Sequence, residues 1–335
     1  MTILAAEVKF YHPDERSDAV TNGGRMTATE SITTTNGNVF PDIPQAERLA
    51  GSTKYRKLFL KIASIGDEIL YNTLLFFNQY TPGDDYITCF KTAAPETDTQ
   101  NDILSTEAHF GCGKLTTSLV GAETSIVVTV ENWATEPIFA NGDVIRITDK
   151  QSLGGGGNEE FFTINAAVTP SGNDITLPID AAVANAYSNT DTYISSGLPL
   201  GDIGGTFDTF VDTTAGTGTY DDVTNPVIVD SIGGIDENWT LTFTSATAFD
   251  VSGATVGAQG SGTIAGGVAP NNTDFTAPFF TLASAGFAGT WATSDTITFT
   301  THAAAYGVWY MRTVPAAAAA LAGNNIEQIV NGENV

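Results

Sequence analysis

Lysine and arginine are missing from almost half of this chain. Neither occurs between Gln151 and Met311, a stretch that carries sixteen acidic residues, and nine of the thirteen basic residues precede Thr92. The net charge is -25. Because phosphate backbones are bound by clustered cations, most of this surface would repel nucleic acid. We therefore predict no nucleic-acid partner, and an acidic, well-solvated exterior for the cation-free half.

Cysteine and histidine are scarce. The two cysteines, Cys89 and Cys112, could form one disulfide at most, and neither belongs to a Cys-x-x-Cys pair. We expect both to be reduced side chains in a core. His109 lies three residues before Cys112, but the two further ligands of a zinc site are missing nearby. The sequence therefore predicts neither a disulfide framework nor a zinc site.

Motifs of catalysis and cofactor binding are lacking. No serine occupies a Gly-x-Ser-x-Gly motif, and the glycine run at 154–157 precedes Asn-Glu-Glu rather than Gly-Lys-Ser/Thr. Acidic doublets are common, but adjacent residues of a strand point to opposite faces and form no glycosidase pair by themselves. Calcium in an acidic turn is an open alternative, although no Asp-x-Asp-x-Asp-Gly loop is present. We predict no enzyme, no catalytic residue, no cofactor and no metal site.

Long apolar runs are lacking too. No run reaches the roughly eighteen apolar residues that a membrane-spanning helix needs. The first sixteen residues are too acidic, and their apolar part is too short, for a signal peptide. We expect neither membrane insertion nor export through a standard signal.

The chain does contain the composition of strands and tight turns. Hydrophobic residues make up 42% and charged residues 15%, together with 34 glycines and 13 prolines. In residues 239–245 and 295–301, threonine alternates with large apolar residues, the pattern of a half-buried strand. Trp239, Leu241 and Phe243 are predicted to share the buried face. We predict an all-β fold of several domains, each a β-sandwich or small barrel.

The domain organisation follows from the position of these strands. Residues 1–106 and 302–335 are predicted to form one discontinuous β-sandwich that serves as an assembly platform, because 308–314 resembles the dense strands of the first block. Two domains would be inserted into it: a small barrel or sandwich at 107–200 and an acidic sandwich at 201–301.

Local patterns predict four further features. Residues 57–63 and 68–80 flank a turn and are predicted to start a stack of hairpins. Residues 92–106 are predicted to be a linker, and the glycines at 154–157 a flexible loop at a domain tip. The alanines at 316–320 favour a helical turn, confined by a flanking proline and glycine.

Basic side chains crowd into TKYRKLFLK, residues 53–61. On a strand, Lys57 and Lys61 would share one face, and Lys54 and Arg56 the other. Neither face is purely basic, so the segment is not a track for a phosphate backbone. We predict instead a salt-sensitive contact between subunits. Its predicted residues are Arg48, Lys54, Arg56, Lys57, Lys61 and Arg312.

Several segments carry a family resemblance. They are NGGRMTATE (22–30), residues 40–61, YTPGDD (80–85), residues 141–164, SIGGIDENWTLTFTSATAF (231–249) and VWYMRTVPAAAAA (308–320). Together they resemble virion structural proteins of tailed bacteriophages, most strongly those of Mu-like transposable phages. The resemblance implies a role in the particle, assembly in the host cytoplasm and no catalytic residues. The partners that it implies are other virion proteins and copies of the chain itself.

We therefore predict a non-enzymatic component of a phage particle, in the tail or baseplate, that forms a symmetric oligomer with acidic domains projecting outward. A capsid decoration or neck protein is an alternative station. A second alternative is a carbohydrate-binding adhesin or receptor-binding module, with Trp133 and Trp291 as the platform for a host surface glycan. A third is a polysaccharide depolymerase that uses two of the carboxylates.

Overall fold

The computed structural model describes residues 2–31, 37–152, 154–321 and 323–334. Strands account for 46% of the structure and helices for 5%. The strands form several antiparallel sheets. The prediction of an all-β fold with several domains is confirmed.

The strands follow one another in three regions of the chain. The first region contains one α-helix, α1 (Gln45–Ala50), the 3-10 turns Ala5–Glu7 and Gln100–Asp102, and the strands β1 (Val8–Glu15), β2 (Gly23–Glu30), β3 (Ser52–Ile62), β4 (Leu70–Phe77) and β5 (Tyr86–Phe90). The second contains β6 (Cys112–Leu115), β7 (Ser125–Thr129), β8 (Val144–Thr148), β9 (Glu159–Thr163), β10 (Thr169–Ser171), β11 (Asp174–Pro178), β12 (Tyr193–Ser196) and β13 (Leu198–Ile203).

The remaining strands lie in the third region and at the end of the chain. The third region contains β14 (Thr206–Thr213), β15 (Thr219–Tyr220), β16 (Ile228–Val229), β17 (Glu237–Phe243), β18 (Ala248–Gly253), β19 (Gly257–Thr263), β20 (Asn271–Asn272), β21 (Ala277–Pro278), β22 (Phe280–Thr281), the 3-10 turn Ser284–Gly286, β23 (Phe287–Ala288) and β24 (Thr296–His302). The last strands are β25 (Ala305–Val314) and β26 (Gln328–Glu333).

The two ends of the chain share one sandwich, called the first sandwich below. Its larger sheet has the strand order β2-β1-β3-β25-β5, and its smaller sheet the order β13-β4-β26. β25 pairs with β3 along its whole length, from Ala305 to Val314. Side chains of both sheets meet in one core, which includes Leu58, Leu60, Val308, Leu75, Phe77 and Leu198. The two C-terminal strands therefore complete sheets whose other strands come from earlier in the chain: β25 in the larger sheet and β26 in the smaller sheet.

The predicted hairpin between 57–63 and 68–80 is wrong. β3 and β4 lie in different sheets of the first sandwich, connected by a turn at residues 65–66. A strand buried on both faces needs a hydrogen-bonded neighbour along each of its edges. β1 and β25 occupy both edges of β3, so none is left for β4. Turn residues cannot reveal a partner strand that comes from the far end of the chain.

Strands β6 to β12 of the second region form a seven-stranded sheet that closes on itself, whereas β13 belongs to the first sandwich. The order of the seven-stranded sheet is β10-β11-β7-β6-β12-β8-β9. Hydrogen bonds from Asn165 N to Pro178 O (3.2 Å) and from Asp180 N to Thr163 O (3.1 Å) join the ends of β9 and β11. Apolar residues fill the interior, among them Ile126, Val128, Ile145, Ile147, Ile175, Leu177 and Ile194. This is the arrangement of a small barrel.

The third region is built on alternating strands. Its main sheet has the order β14-β24-β17-β18-β19. In β17, Trp239, Leu241 and Phe243 are buried, whereas Asn238 and Thr242 are exposed. The predicted burial of one face of this strand is confirmed. Two-stranded ribbons complete the region, and residues of β15, β16 and β22 join the same core.

The predicted helical turn at 316–320 is wrong. This segment is irregular apart from a turn at its start. Ala318 N donates to Arg48 O at 3.1 Å, and Ala319 N donates to an Asp84 carboxylate oxygen at 2.7 Å. Backbone groups that bond to other segments are not available for helical bonds, so tertiary contacts override the helix propensity of alanine.

The segment 92–106 is more than a linker. Pro95 and Asp98 are buried, and residues 100–102 form a 3-10 turn. Asp98 reaches the side chain of Lys57 in β3. The segment therefore packs against the first sandwich before the chain enters the second region.

Candidate assembly surface

Three cations lie together at one end of the larger sheet of the first sandwich. Arg312 of β25 is directly opposite Lys54 of β3, and Arg56 lies two residues further along β3. Alternation along the strand places all three side chains on the same face. We call Lys54, Arg56 and Arg312 the cation cluster.

The cation cluster is only partly neutralised. Lys54 contacts Asp18 at 2.9 Å and Glu47 at 2.6 Å, and Arg56 contacts Asp18 at 2.6 Å. Arg312 has no ion pair among the described residues; its Nη1 donates to Pro41 O at 2.9 Å, while Nε and Nη2 have no hydrogen-bond partner. Three positive charges therefore face two carboxylates.

Electrostatics and an aromatic ring hold the cation cluster in place. Hydrogen bonds from Arg56, and then from Lys54, keep the pKa of Asp18 below its usual value. Burial lowers the pKa of Arg312. The Phe40 ring lies 4.8 Å from the Arg312 guanidinium carbon and 5.8 Å from that of Arg56, within the range of cation–π attraction.

An exposed apolar rim borders the cation cluster. It is formed by two segments, residues 44–50, which include α1, and residues 316–321. The hydrogen bond from Ala318 N to Arg48 O joins the two segments. Leu49 is 65% exposed and Leu321 51%. The exposed members of this apolar rim are Pro44, Ala46, Leu49, Ala50, Ala316, Ala317, Ala319, Ala320 and Leu321. An apolar surface beside unneutralised cations is suited to a protein partner.

Burial reduces the number of basic residues that could form the predicted contact between subunits. Lys57 and Lys61 are 1% and 0% exposed, because they lie on the opposite face of β3, which is covered by other segments of the chain. As the chain is folded they cannot touch a neighbouring subunit. Arg56 and Arg312 are also buried, whereas Arg48 and Lys54 keep part of their surface. The apolar rim was not predicted from the sequence, because the alanines at 316–320 indicated only a preference for helix.

The tryptophan platform suggested for an adhesin does not form. Trp291 is 2% exposed and stacks on Phe243, with ring centroids 4.1 Å apart and planes at 5°. Trp133 packs partly buried against the core of the second region. Trp291 is therefore a core residue and is not available to bind a sugar.

The cysteines and histidines occupy separate environments. Cys89 and Cys112 are free, and burial raises the pKa of both thiols. His109 Nδ1 forms a hydrogen bond of 2.8 Å with the Thr88 hydroxyl. Within the described ranges, no group of three or more His, Cys, Asp or Glu side chains is placed to hold a metal ion.

A cleft of about 360 Å³ separates the first sandwich from the third region. Arg25 in β2 lines one wall, and its Nη1 donates to Asp236 O at 2.8 Å. Asp14, Asp274 and Phe275 also line the cleft. Sequence reasoning missed it, because its walls come from segments about 210 residues apart that share no motif.

Comparisons with protein-family models, with curated proteins and with solved structures gave no match. In the part of the chain that the structure describes, no helix is both long and apolar enough to cross a membrane.

Proposed function

We propose that the protein is a non-enzymatic structural component of a tailed bacteriophage particle, in the tail or baseplate, and that it forms a symmetric oligomer. The main structural support is the exposed apolar rim beside the cation cluster on the first sandwich. An exposed apolar surface of this kind costs solubility unless a partner covers it. The resemblance of the sequence to phage virion proteins supports the same role.

Charge distribution supports a defined orientation in the assembly. The 161 residues from Gln151 to Met311 contain sixteen acids and no lysine or arginine. Two such surfaces repel each other, whereas the cation cluster attracts an acidic neighbour. The first sandwich would then face other subunits, and the second and third regions would project away from the contact.

The self-association part of this proposal is tested by Leu49→Asp, which places a charge on the apolar rim. Leu49 is 65% exposed, so the fold should tolerate the change. We expect the variant to sediment as a smaller species than the unmodified chain in analytical ultracentrifugation. Val120→Asp is the matched control, because Val120 is 85% exposed in the second region.

Two results would contradict self-association through this surface. One is an unmodified chain that stays monomeric at all accessible concentrations. The other is an equal loss of the oligomer in both variants, which would indicate a general effect of added charge.

The station in the particle is tested separately. Particles purified from the host that carries the gene are separated into tails and capsids, and each fraction is analysed by mass spectrometry. Enrichment in tails supports the proposal. Enrichment in capsids identifies a decoration or neck protein, and absence from both fractions excludes a virion role.

A host glycan is a second candidate ligand, because the cleft combines Phe275 with the polar side chains of Asp14, Arg25 and Asp274. Sugars are bound by an apolar ring face together with planar polar groups. We expect Phe275→Ala to abolish any signal on a glycan array. A chain that gives no signal before substitution excludes this ligand.

A further inference from the structure

Lys57 and Asp98 form an ion pair that is sealed between the larger sheet of the first sandwich and the segment 92–106 that covers it. The side chains are 0% and 2% exposed, and Lys57 Nζ lies 2.6 Å from Asp98 Oδ1. Nζ also donates to Gly24 O at 2.9 Å and to Asp98 O at 3.1 Å. Because Oδ1 is bonded to Cγ, the amine nitrogen lies within about 4 Å of the carboxyl carbon.

The surroundings of the pair are apolar and tightly packed. Nζ lies 4.7 Å from the centre of the Phe59 ring and 5.9 Å from that of Trp309. A Cβ atom added at Gly307 would lie 2.9 Å from Lys57 Cε, so the space around the lysine stem is filled. Burial lowers the pKa of Lys57, which makes the neutral amine more accessible than it is in water.

The other carboxylate oxygen of Asp98 accepts two hydrogen bonds. Thr92 Oγ1 donates to Oδ2 at 2.7 Å, and Trp309 Nε1 donates to the same oxygen. Two fixed donors on one oxygen stabilise the negative charge that forms there when a nucleophile adds to the carboxyl carbon. The Lys57 amine, a potential nucleophile, therefore lies beside Oδ1 of Asp98, and two hydrogen-bond donors that could stabilise an oxyanion lie beside Oδ2.

We infer that Lys57 and Asp98 join in an intramolecular isopeptide bond. Within the pair, a proton passes from Nζ to Oδ1 and leaves a neutral amine beside a neutral carboxyl group. The nitrogen lone pair then adds to Cγ, and Oδ2 becomes the oxyanion that Thr92 and Trp309 stabilise. Collapse of this intermediate breaks the Cγ–Oδ1 bond; Oδ1 leaves as water with two protons that began on Nζ, so no external reagent is needed.

Lys61 provides an internal comparison on the same face of the same strand. It is as deeply buried as Lys57, but it has no ion pair among the described residues, and its Nζ donates to Gly234 O over a long distance of 3.4 Å. Burial alone therefore does not supply a reaction partner. The bond is confined to Lys57, where it would tie the segment 92–106 covalently to β3.

The test is the intact mass of the purified, denatured full-length chain. We expect a mass lower than that of the unmodified sequence by about 18 Da, the mass of one water molecule. Trypsin should yield residues 57–61 linked to residues 92–114, with cleavage after Lys57 blocked. The full unmodified mass, in protein held folded overnight, overturns the inference and leaves the pair as a buried ion pair.

Three variants locate the reaction. Lys57→Arg keeps the positive charge but should show no loss of mass, and Lys61→Arg should keep the full loss. Trp309→Phe retains both reacting groups and removes one oxyanion donor, so the bond should form more slowly over a time course. A mass loss that persists in Lys57→Arg would show that the water is lost at another site.

Discussion

At the scale of single residues, the two lysines on the covered face of β3 have different electrostatic surroundings. Lys57 contacts Asp98, whereas the contacts of Lys61 Nζ among the described residues are one hydrogen bond of 3.4 Å to Gly234 O and the Phe275 ring at 5.2 Å. Burial lowers the pKa of Lys61 to about 8. A buried ammonium group without a carboxylate partner is a cost to the folded state.

Replacing Lys61 by methionine should therefore stabilise the protein. The pKa of about 8 in the folded state lies below the usual lysine value of 10.5. The cost is thus fully present below pH 8 and disappears as the pH rises towards 10.5. We expect Lys61→Met to raise the free energy of unfolding by up to about 3 kcal/mol at pH 7. Urea denaturation at pH 7 and at pH 9.5 should show a smaller gain at the higher pH.

Lys57→Met is the matched control for this prediction. It removes the partner of Asp98 and leaves a carboxylate with 2% side-chain exposure, so we expect a loss of about 3 kcal/mol or more. Equal destabilisation by both lysine variants would contradict this prediction, because it would show that Lys61 makes a net favourable contribution to the folded state.

At the scale of elements, the last strand completes a sheet at its edge. β26 pairs with β4 alone, and its apolar residues Ile329 and Val330 are half-buried. Gln328 Oε1 accepts a hydrogen bond of 3.2 Å from the Tyr310 hydroxyl. Without β26, the backbone of β4 would have an open edge, which other chains could pair with.

Deleting residues 327–335 should destabilise the first sandwich and cause aggregation. Loss of the half-buried Ile329 and Val330 side chains alone should cost about 2 kcal/mol. Thermal unfolding followed by light scattering measures both effects. A chain that lacks only residues 334–335 retains β26 and should behave like the full-length chain; equal Tm values for all three chains would contradict a structural role of the strand.

Some of these elements could be predicted from the sequence, and others could not. The faces of β17 follow from alternation, because side chains of a strand point to opposite sides wherever the strand is placed. The hairpin at 57–80 and the helical turn at 316–320 failed for a common reason. Their hydrogen-bond partners lie far away in the sequence, and local propensity contains no information about them.

At the scale of the whole molecule, charge acts in two opposite ways. A net charge of -25 makes the acidic parts of the chain repel one another and weakens the compact state. The same acidity strengthens attraction between a neighbour and the cation cluster. Both effects are screened by salt.

Raising the salt concentration from about 50 mM to about 500 mM should therefore separate folding from assembly. We expect the Tm of the Leu49→Asp variant, which should not assemble, to rise because self-repulsion is screened. The unmodified chain should dissociate over the same range in analytical ultracentrifugation. An oligomer that becomes stronger with salt would indicate a contact dominated by the apolar rim rather than by charge.

Through its composition and short-range alternation, the sequence predicts the β class, the strands with one buried face and the uneven distribution of charge. It also identified the crowded cations around Lys54, although it assigned Lys57 and Lys61 to a contact between subunits. Folding of the chain turns these two lysines away from solvent and brings Asp98 into contact with Lys57, neither of which the sequence predicted. It also brought the alanine run beside α1 to form the apolar rim. Local patterns cannot predict these contacts, because burial, ion pairing and exposed apolar area depend on segments distant in the chain that meet only when the sheets form.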